Sequence, residues 1–86
     1  MAIHSNIGEV LENNIKDEKL LNSVKGKFHT VEVEVDSILN EENTNENKAL
    51  KRAKELIGYI FGYNWINENW RKIEHDIKKE IEASKR

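Results

Sequence analysis

Apolar side chains along this chain recur with the period of packed helices. Between residues 21 and 38 they are spaced three and four positions apart, which places them on one face of a helix. The same spacing returns twice further along the chain. The three sets are Leu21, Val24, Phe28, Val31, Val35 and Ile38; Leu50, Ala53, Ile57 and Ile60; and Ile66, Trp70, Ile73, Ile77 and Ile81. Stripes of this kind joined by short connections predict an all-α fold, a small antiparallel bundle of three to four helices.

A second period competes with the helical one in the middle of the first set. Residues 31–36 read Val-Glu-Val-Glu-Val-Asp, an alternation typical of a half-buried strand. The alternative is therefore an α+β fold with one strand near residues 28–36. Its backbone groups would need a partner, either the same strand of a second chain across a dimer or residues 59–65. The helix is favoured because it buries Phe28 with Val31 and Val35 and leaves only Val33 outside.

Polar residues and glycines predict where the helices begin and end. Asn6 and Glu9 have the spacing of a capping box, which predicts a first helix beginning near residue 6. The apolar stripe shifts near Lys16 and Asp17, so we expect a kink or break there. Residues 40–47 contain no apolar side chain and form the clearest loop.

Glycine and asparagine also mark the later boundaries. Gly26 is compatible either with the end of a helix or with a helix interior. We expect the third helix to end near Gly62 and Asn64 to cap the last helix.

Length and composition narrow the class of protein further. Eighty-six residues predict one helical domain, 1–86, near the size at which a single core barely offsets chain entropy, and a homodimer would relieve that shortage. The absence of cysteine excludes disulfides and thiolate zinc sites and makes the cytoplasm the expected location. No stretch has the layout of a signal peptide or the roughly 20 apolar residues of a membrane helix.

No arrangement of residues in the sequence demands a particular chemistry. The histidines His4, His29 and His75 are far apart, and neither a nucleophile motif nor a glycine-rich phosphate loop is present. The acidic residues of the 40–47 loop lack the ligand order of a calcium loop. We therefore predict a protein that is not an enzyme and that has no metal site and no cofactor.

Aromatic residues are concentrated in one part of the chain. Five of the six lie between residues 59 and 70, and a core corner readily accounts for Phe61 and Trp70. Exposed Tyr and Trp are enriched in the energetic centres of protein interfaces. The candidate partner-binding residues are Tyr59, Tyr63, Trp65 and Trp70. We expect another protein as the partner.

Charge is divided unevenly along the chain. Residues 1–46 hold four basic and ten acidic side chains, whereas residues 47–86 hold ten basic and six acidic ones, and the formal net charge is −2. The second half could therefore carry a patch that binds nucleic acid. Its candidate residues are Lys48, Lys51, Arg52, Arg71 and Lys72. Neutralisation of the acidic helices by the basic ones is the favoured interpretation, because the basic residues have acidic neighbours.

These observations favour a small, non-catalytic protein-binding module that acts through an aromatic-rich surface. Inhibitors, immunity or antitoxin partners and accessory factors of bacteria and phages are proteins of this size and composition. The alternative is a transcriptional regulator that binds nucleic acid through its basic C-terminal half. A DNA-reading ribbon at residues 29–36 is disfavoured, because its outward residues Glu32 and Glu34 would be repelled by phosphates.

Overall fold

The chain is built from five α-helices and one 3₁₀ turn in a computed structural model that describes residues 2–85. Their bounds are α1 Ile7–Asn14, α2 Glu18–Val24, the 3₁₀ turn Lys25–Lys27, α3 Phe28–Leu39, α4 Glu46–Phe61 and α5 Tyr63–Ser84. Within the described residues there is no strand. The all-α prediction is confirmed.

Four of the helices form an antiparallel ring in which α1, α3, α4 and α5 each pack against two neighbours. Contacts at the helix ends show the directions. Glu46 at the start of α4 lies 3.5 Å from Lys85, just beyond the end of α5. Asn6 and Asn14, at opposite ends of α1, bond to Glu80 and Asp76 of α5, so these two helices also run in opposite directions. The short α2 and the 3₁₀ turn connect α1 to α3.

The three apolar stripes meet in one core, as their spacing predicts. Every helix contributes buried apolar side chains to it, and the half-buried Trp65 and Trp70 pack against its edge. The largest fully buried apolar side chains are Ile7, Leu11, Val35, Ile57, Ile66, Ile73, Ile77 and Ile81. Burial of these side chains is the main source of the folding free energy.

Residues 28–36 lie in α3, so the α+β alternative is wrong. The helical twist sends the alternating residues of this segment in different directions. Val35 is fully buried, whereas Val33 is 53 % exposed. Glu32 faces α1, while Glu34 accepts a hydrogen bond of 2.9 Å from Arg52 of α4. The alternation of valine and acid therefore supplies ion-pair and hydrogen-bond partners to two neighbouring helices.

The start of α1 differs from the predicted capping box. Asn6 has a left-handed backbone with φ 51° and ψ 36°, and its side chain donates a hydrogen bond to Glu80 instead of capping α1. The backbone N–H groups at this end donate to α3: Gly8 to Glu32 Oε2 at 3.1 Å and Ser5 to Asp36 Oδ1 at 2.7 Å. The helix begins near residue 6 as expected, but the backbone N–H groups at this end donate to side chains that are distant in sequence.

The predicted break between the first two helices is confirmed. Ile15 is extended and buried, and Asp17 caps α2 by accepting hydrogen bonds from the backbone N–H groups of Lys19 and Leu20. Gly26 lies within the 3₁₀ turn, and the residues around it, Val24, Lys25, Lys27 and Phe28, keep right-handed helical backbone angles between α2 and α3.

Gly62 is the joint between α4 and α5. Its φ of 94° and ψ of 160° are accessible to glycine and strained for other residues. Because this one residue reverses the chain, α5 begins at Tyr63, and the prediction that Asn64 caps it is wrong. At the other end of α4, Asn45 caps the helix by accepting from the Asn47 N–H, so the 40–47 loop ends two residues early.

Candidate protein-binding groove

The four predicted partner-binding aromatics occupy two different environments. Tyr59 is 84 % exposed and Tyr63 is 80 % exposed, and they lie on either side of the Gly62 joint. Trp65 and Trp70 are half-buried and pack against the core. The tyrosines are therefore available on the surface, whereas each tryptophan is partly committed to the fold.

Trp65 belongs to a chain of aromatic contacts that closes one end of the bundle. Its ring stacks on Phe61, with 4.2 Å between ring centroids and an angle of 24° between the ring planes. Phe61 in turn lies 6.3 Å from Phe28 of α3. Contacts of this kind stabilise cores beyond the area they bury. Loss of Trp65 would consequently affect folding as well as any binding.

The exposed tyrosines border a groove between α4 and α5 with a volume of about 390 Å³. We call it the α4–α5 groove. Its lining residues are Lys51, Lys54, Glu55, Gly58 and Tyr59 of α4 with Tyr63, Ile66 and Asn67 of α5. On α4 these residues follow the helical spacing of one face, and the reversal at Gly62 brings the start of α5 alongside them.

The depth of the groove depends on Gly58. A Cβ atom built at this position would lie 3.6 Å from Ile66 Cγ2, an ordinary van der Waals distance. Gly58 is therefore not required for close packing of α4 against α5. Its lack of a side chain leaves space above the buried Ile66, and a longer side chain would project into the groove.

The charges of the groove are unevenly compensated. Glu55 lies 3.2 Å from Arg52, which also contacts Glu34 at 2.9 Å. The hydrogen bond from Arg52 to Glu34 raises the pKa of its guanidinium. In contrast, Lys51 and Lys54 have no carboxylate within 4.0 Å among residues 2–85. The groove consequently presents two lysines without a close carboxylate beside two exposed phenol rings.

The basic residues considered for nucleic-acid binding are dispersed. Lys48 pairs with Glu41 at 3.6 Å, and Arg52 is held by its two glutamates. Lys72 donates to Asn14 Oδ1 at 3.0 Å, which places it beside α1. Lys51 lies at the α4–α5 groove instead.

Arg71 completes the set of five candidates. It is exposed and lies one helical turn beyond Asn67, on the same face of α5. Lys48, Arg52 and Lys72 contact different partners, and Lys51 is the one of the five that lines the groove.

Of the residues that line the groove, Tyr59, Tyr63 and Lys51 were predicted as site residues from the sequence. Five others were not: Lys54, Glu55, Gly58, Ile66 and Asn67. The signal for Gly58 was present in the sequence, because it lies seven residues after Lys51 and so on the same helical face. Ile66 was assigned wholly to the core, which is where most of its surface lies. That it also lines the groove follows from the position of α4.

The groove offers hydrophobic and electrostatic contacts to a ligand. In the part of the chain that the structure describes, no group of three or more His, Asp or Glu side chains is placed to hold a metal ion. None of the helices described is long and apolar enough to cross a membrane.

The chain matches no protein-family model, and comparison with curated proteins and with solved structures gave no significant match.

Proposed function

We propose that this chain is a small, non-catalytic protein-binding module whose contact surface is centred on Tyr59 and Tyr63. The observation that carries the proposal is the exposure of both rings on either side of one glycine, next to a groove. Tyrosine supplies a large, rigid contact area at low entropic cost, and it is enriched where binding energy is concentrated. Two such rings at one groove are an arrangement that a partner protein can bury together.

The same features support our choice among kinds of module. An inhibitor, an immunity or antitoxin partner, or an accessory factor needs a stable small scaffold and one recognition surface, and it needs no catalytic group. We place such a protein in the cytoplasm of a bacterium or a phage-infected cell, where it would bind another protein as a monomer or as a homodimer. The half-buried Trp65 and Trp70 support the surface from the core side.

Binding of nucleic acid is the second candidate and has less support. Its best residues are Lys51 and Arg71, since Lys48, Arg52 and Lys72 already contact acidic or amide groups within the chain. A protein that neutralises several phosphates loses affinity steeply as salt rises. Binding of a DNA duplex at low salt with such a dependence would favour this candidate.

Site-specific photocrosslinking in the native cell tests the proposal. A photoreactive phenylalanine analogue replaces Tyr63 in one variant and Val33 in a matched control, since Val33 is also exposed but lies on α3. We expect a discrete protein adduct from position 63 and none from position 33. Equal labelling from both positions, or no adduct from position 63, would overturn the assignment of this surface. Circular dichroism of both variants checks that the fold is intact.

A further inference from the structure

The α4–α5 groove also indicates the chemistry of its occupant. Lys51 and Lys54 lie on one side of it without carboxylate partners among residues 2–85, while Glu55 shares Arg52 with Glu34. The charged residues that line the groove, Lys51, Lys54 and Glu55, therefore carry one net positive charge. The chain as a whole has a formal net charge of −2, but the groove lies in residues 47–86, which hold ten basic and six acidic side chains. Opposite charges across an interface raise the association rate and select among partners.

The apolar part of the groove adds a second requirement for the molecule that would bind there. The groove of about 390 Å³ has room for one large apolar side chain together with part of the segment that carries it, and Gly58, Ile66, Tyr59 and Tyr63 line it. Peptide grooves commonly combine one such anchor pocket with polar contacts at the rim. The lysines lie on α4 a turn or more before Gly58, so an anchored segment would pass them on its way out of the groove.

We propose that the α4–α5 groove binds an acidic peptide segment of the partner, with one large apolar side chain seated above Gly58 and flanking carboxylates paired with Lys51 and Lys54. This inference rests on the proposed protein-binding function and specifies the partner's chemistry. It is separable from that function, because a protein could be captured through Tyr63 without an acidic anchor segment.

Selection from a random peptide library displayed on phage, with the full chain as target, tests the inference. We expect enriched peptides to combine Leu, Phe or Trp with several Asp or Glu residues. The double variant Lys51→Glu with Lys54→Glu should bind those peptides about ten-fold or more weakly and should select basic peptides in their place. The matched control is Lys78→Glu with Lys79→Glu, an equal change of charge on exposed residues of α5 away from the groove.

Two substitutions at Gly58 test the anchor pocket. Gly58→Leu should abolish binding of the enriched peptides, because its side chain occupies the groove. Gly58→Ala should weaken binding less, since its Cβ makes only an ordinary contact with Ile66. Unchanged binding by a folded Gly58→Leu variant would overturn the anchor position, and enriched peptides without acidic residues would overturn the charge argument.

Other occupants are separate outcomes of the same set of variants. A random DNA duplex bound at low salt and lost on Lys51→Glu with Lys54→Glu would replace the peptide with nucleic acid. Self-association in sedimentation equilibrium that disappears in Gly58→Leu would identify a second copy of this chain as the occupant. Failure of the peptide selection together with a discrete adduct from position 63 would reject this inference and leave the protein-binding function standing.

Discussion

The backbone N–H of Gly8 donates a hydrogen bond of 3.1 Å to Oε2 of Glu32, a residue 24 positions later in the chain. This places a carboxylate at the N-terminus of α1, where the helix dipole favours negative charge. A Cβ at position 8 would lie 3.2 Å from the same oxygen, so an alanine there would require the Glu32 carboxylate to move by a few tenths of an ångström. The glycine and the glutamate therefore act as a pair that joins α1 to α3.

Substitutions at these two positions should be coupled. Glu32→Ala removes a charged acceptor and leaves the Gly8 N–H unpaired, which should lower the free energy of unfolding by about 1–2 kcal/mol. Gly8→Ala should stabilise the Glu32→Ala background by about 0.5–1 kcal/mol through reduced chain entropy. In the native background that gain should shrink or reverse, because the added methyl crowds the glutamate. These substitutions form a double-mutant cycle of four proteins: the parent, the two single variants and the double variant. Urea unfolding followed by circular dichroism measures the free energy of unfolding of each.

Glu9→Ala is the matched control for this cycle. Glu9 is the acid of the capping box that sequence spacing predicted, and it is exposed in the first turn of α1. Its loss should change stability by no more than about 0.5 kcal/mol. A cost equal to that of Glu32→Ala would contradict the assignment of Glu32 as the acceptor.

Ser5 and Ser84 should respond to alanine substitution with opposite signs. Ser5 is fully buried, and its hydroxyl has no hydrogen-bond partner among residues 2–85. Removing that hydroxyl should leave stability unchanged or raise it by up to about 1 kcal/mol. Ser84 Oγ accepts a 2.9 Å hydrogen bond from the backbone N–H of His4, so Ser84→Ala should destabilise the protein by about 0.5–1 kcal/mol. Thermal and urea unfolding of the two variants would show the contrast, and a clear loss of stability in Ser5→Ala would refute it.

Val33 and Val35 provide a test of the helix at residues 28–36. In a strand they would share one face, whereas in α3 Val35 is fully buried and Val33 is 53 % exposed. Val35→Ala should therefore cost about 2 kcal/mol, while Val33→Ala should stay within about 0.5 kcal/mol of the parent. Similar costs at both positions in chemical denaturation would argue for the strand.

The joint at Gly62 should be intolerant of a side chain. Its φ of 94° is strained for alanine, so Gly62→Ala should lower the free energy of unfolding by about 1–3 kcal/mol. Gly26→Ala is the control, because a Cβ at Gly26 meets nothing within 4 Å and its φ is not positive. That variant should be stabilised by about 0.4–1 kcal/mol through the unfolded chain. Equal changes in the free energy of unfolding from the two substitutions would contradict the strained backbone at Gly62.

The sequence by itself determined the helices and their inward faces. The spacing of apolar residues is a local property, and a residue's position on the helical period decides whether it faces the core, so the burial of Val35 and the exposure of Val33 followed from the pattern. The break near Asp17 was visible as a shift of the apolar stripe, and the joint at Gly62 was visible because a glycine acts on the backbone at its own position.

Only the tertiary structure decided which faces meet. Asn6 and Glu9 have the local spacing of a cap, yet Glu32 accepts from the start of α1, because the packing of α3 brings a carboxylate there from 24 positions away. In the same way, the aromatic cluster of the sequence divides into core-packed tryptophans and exposed tyrosines once α5 folds back beside α4. Helical periodicity gives each side chain a direction, and the packing of one helix on another determines what lies in that direction.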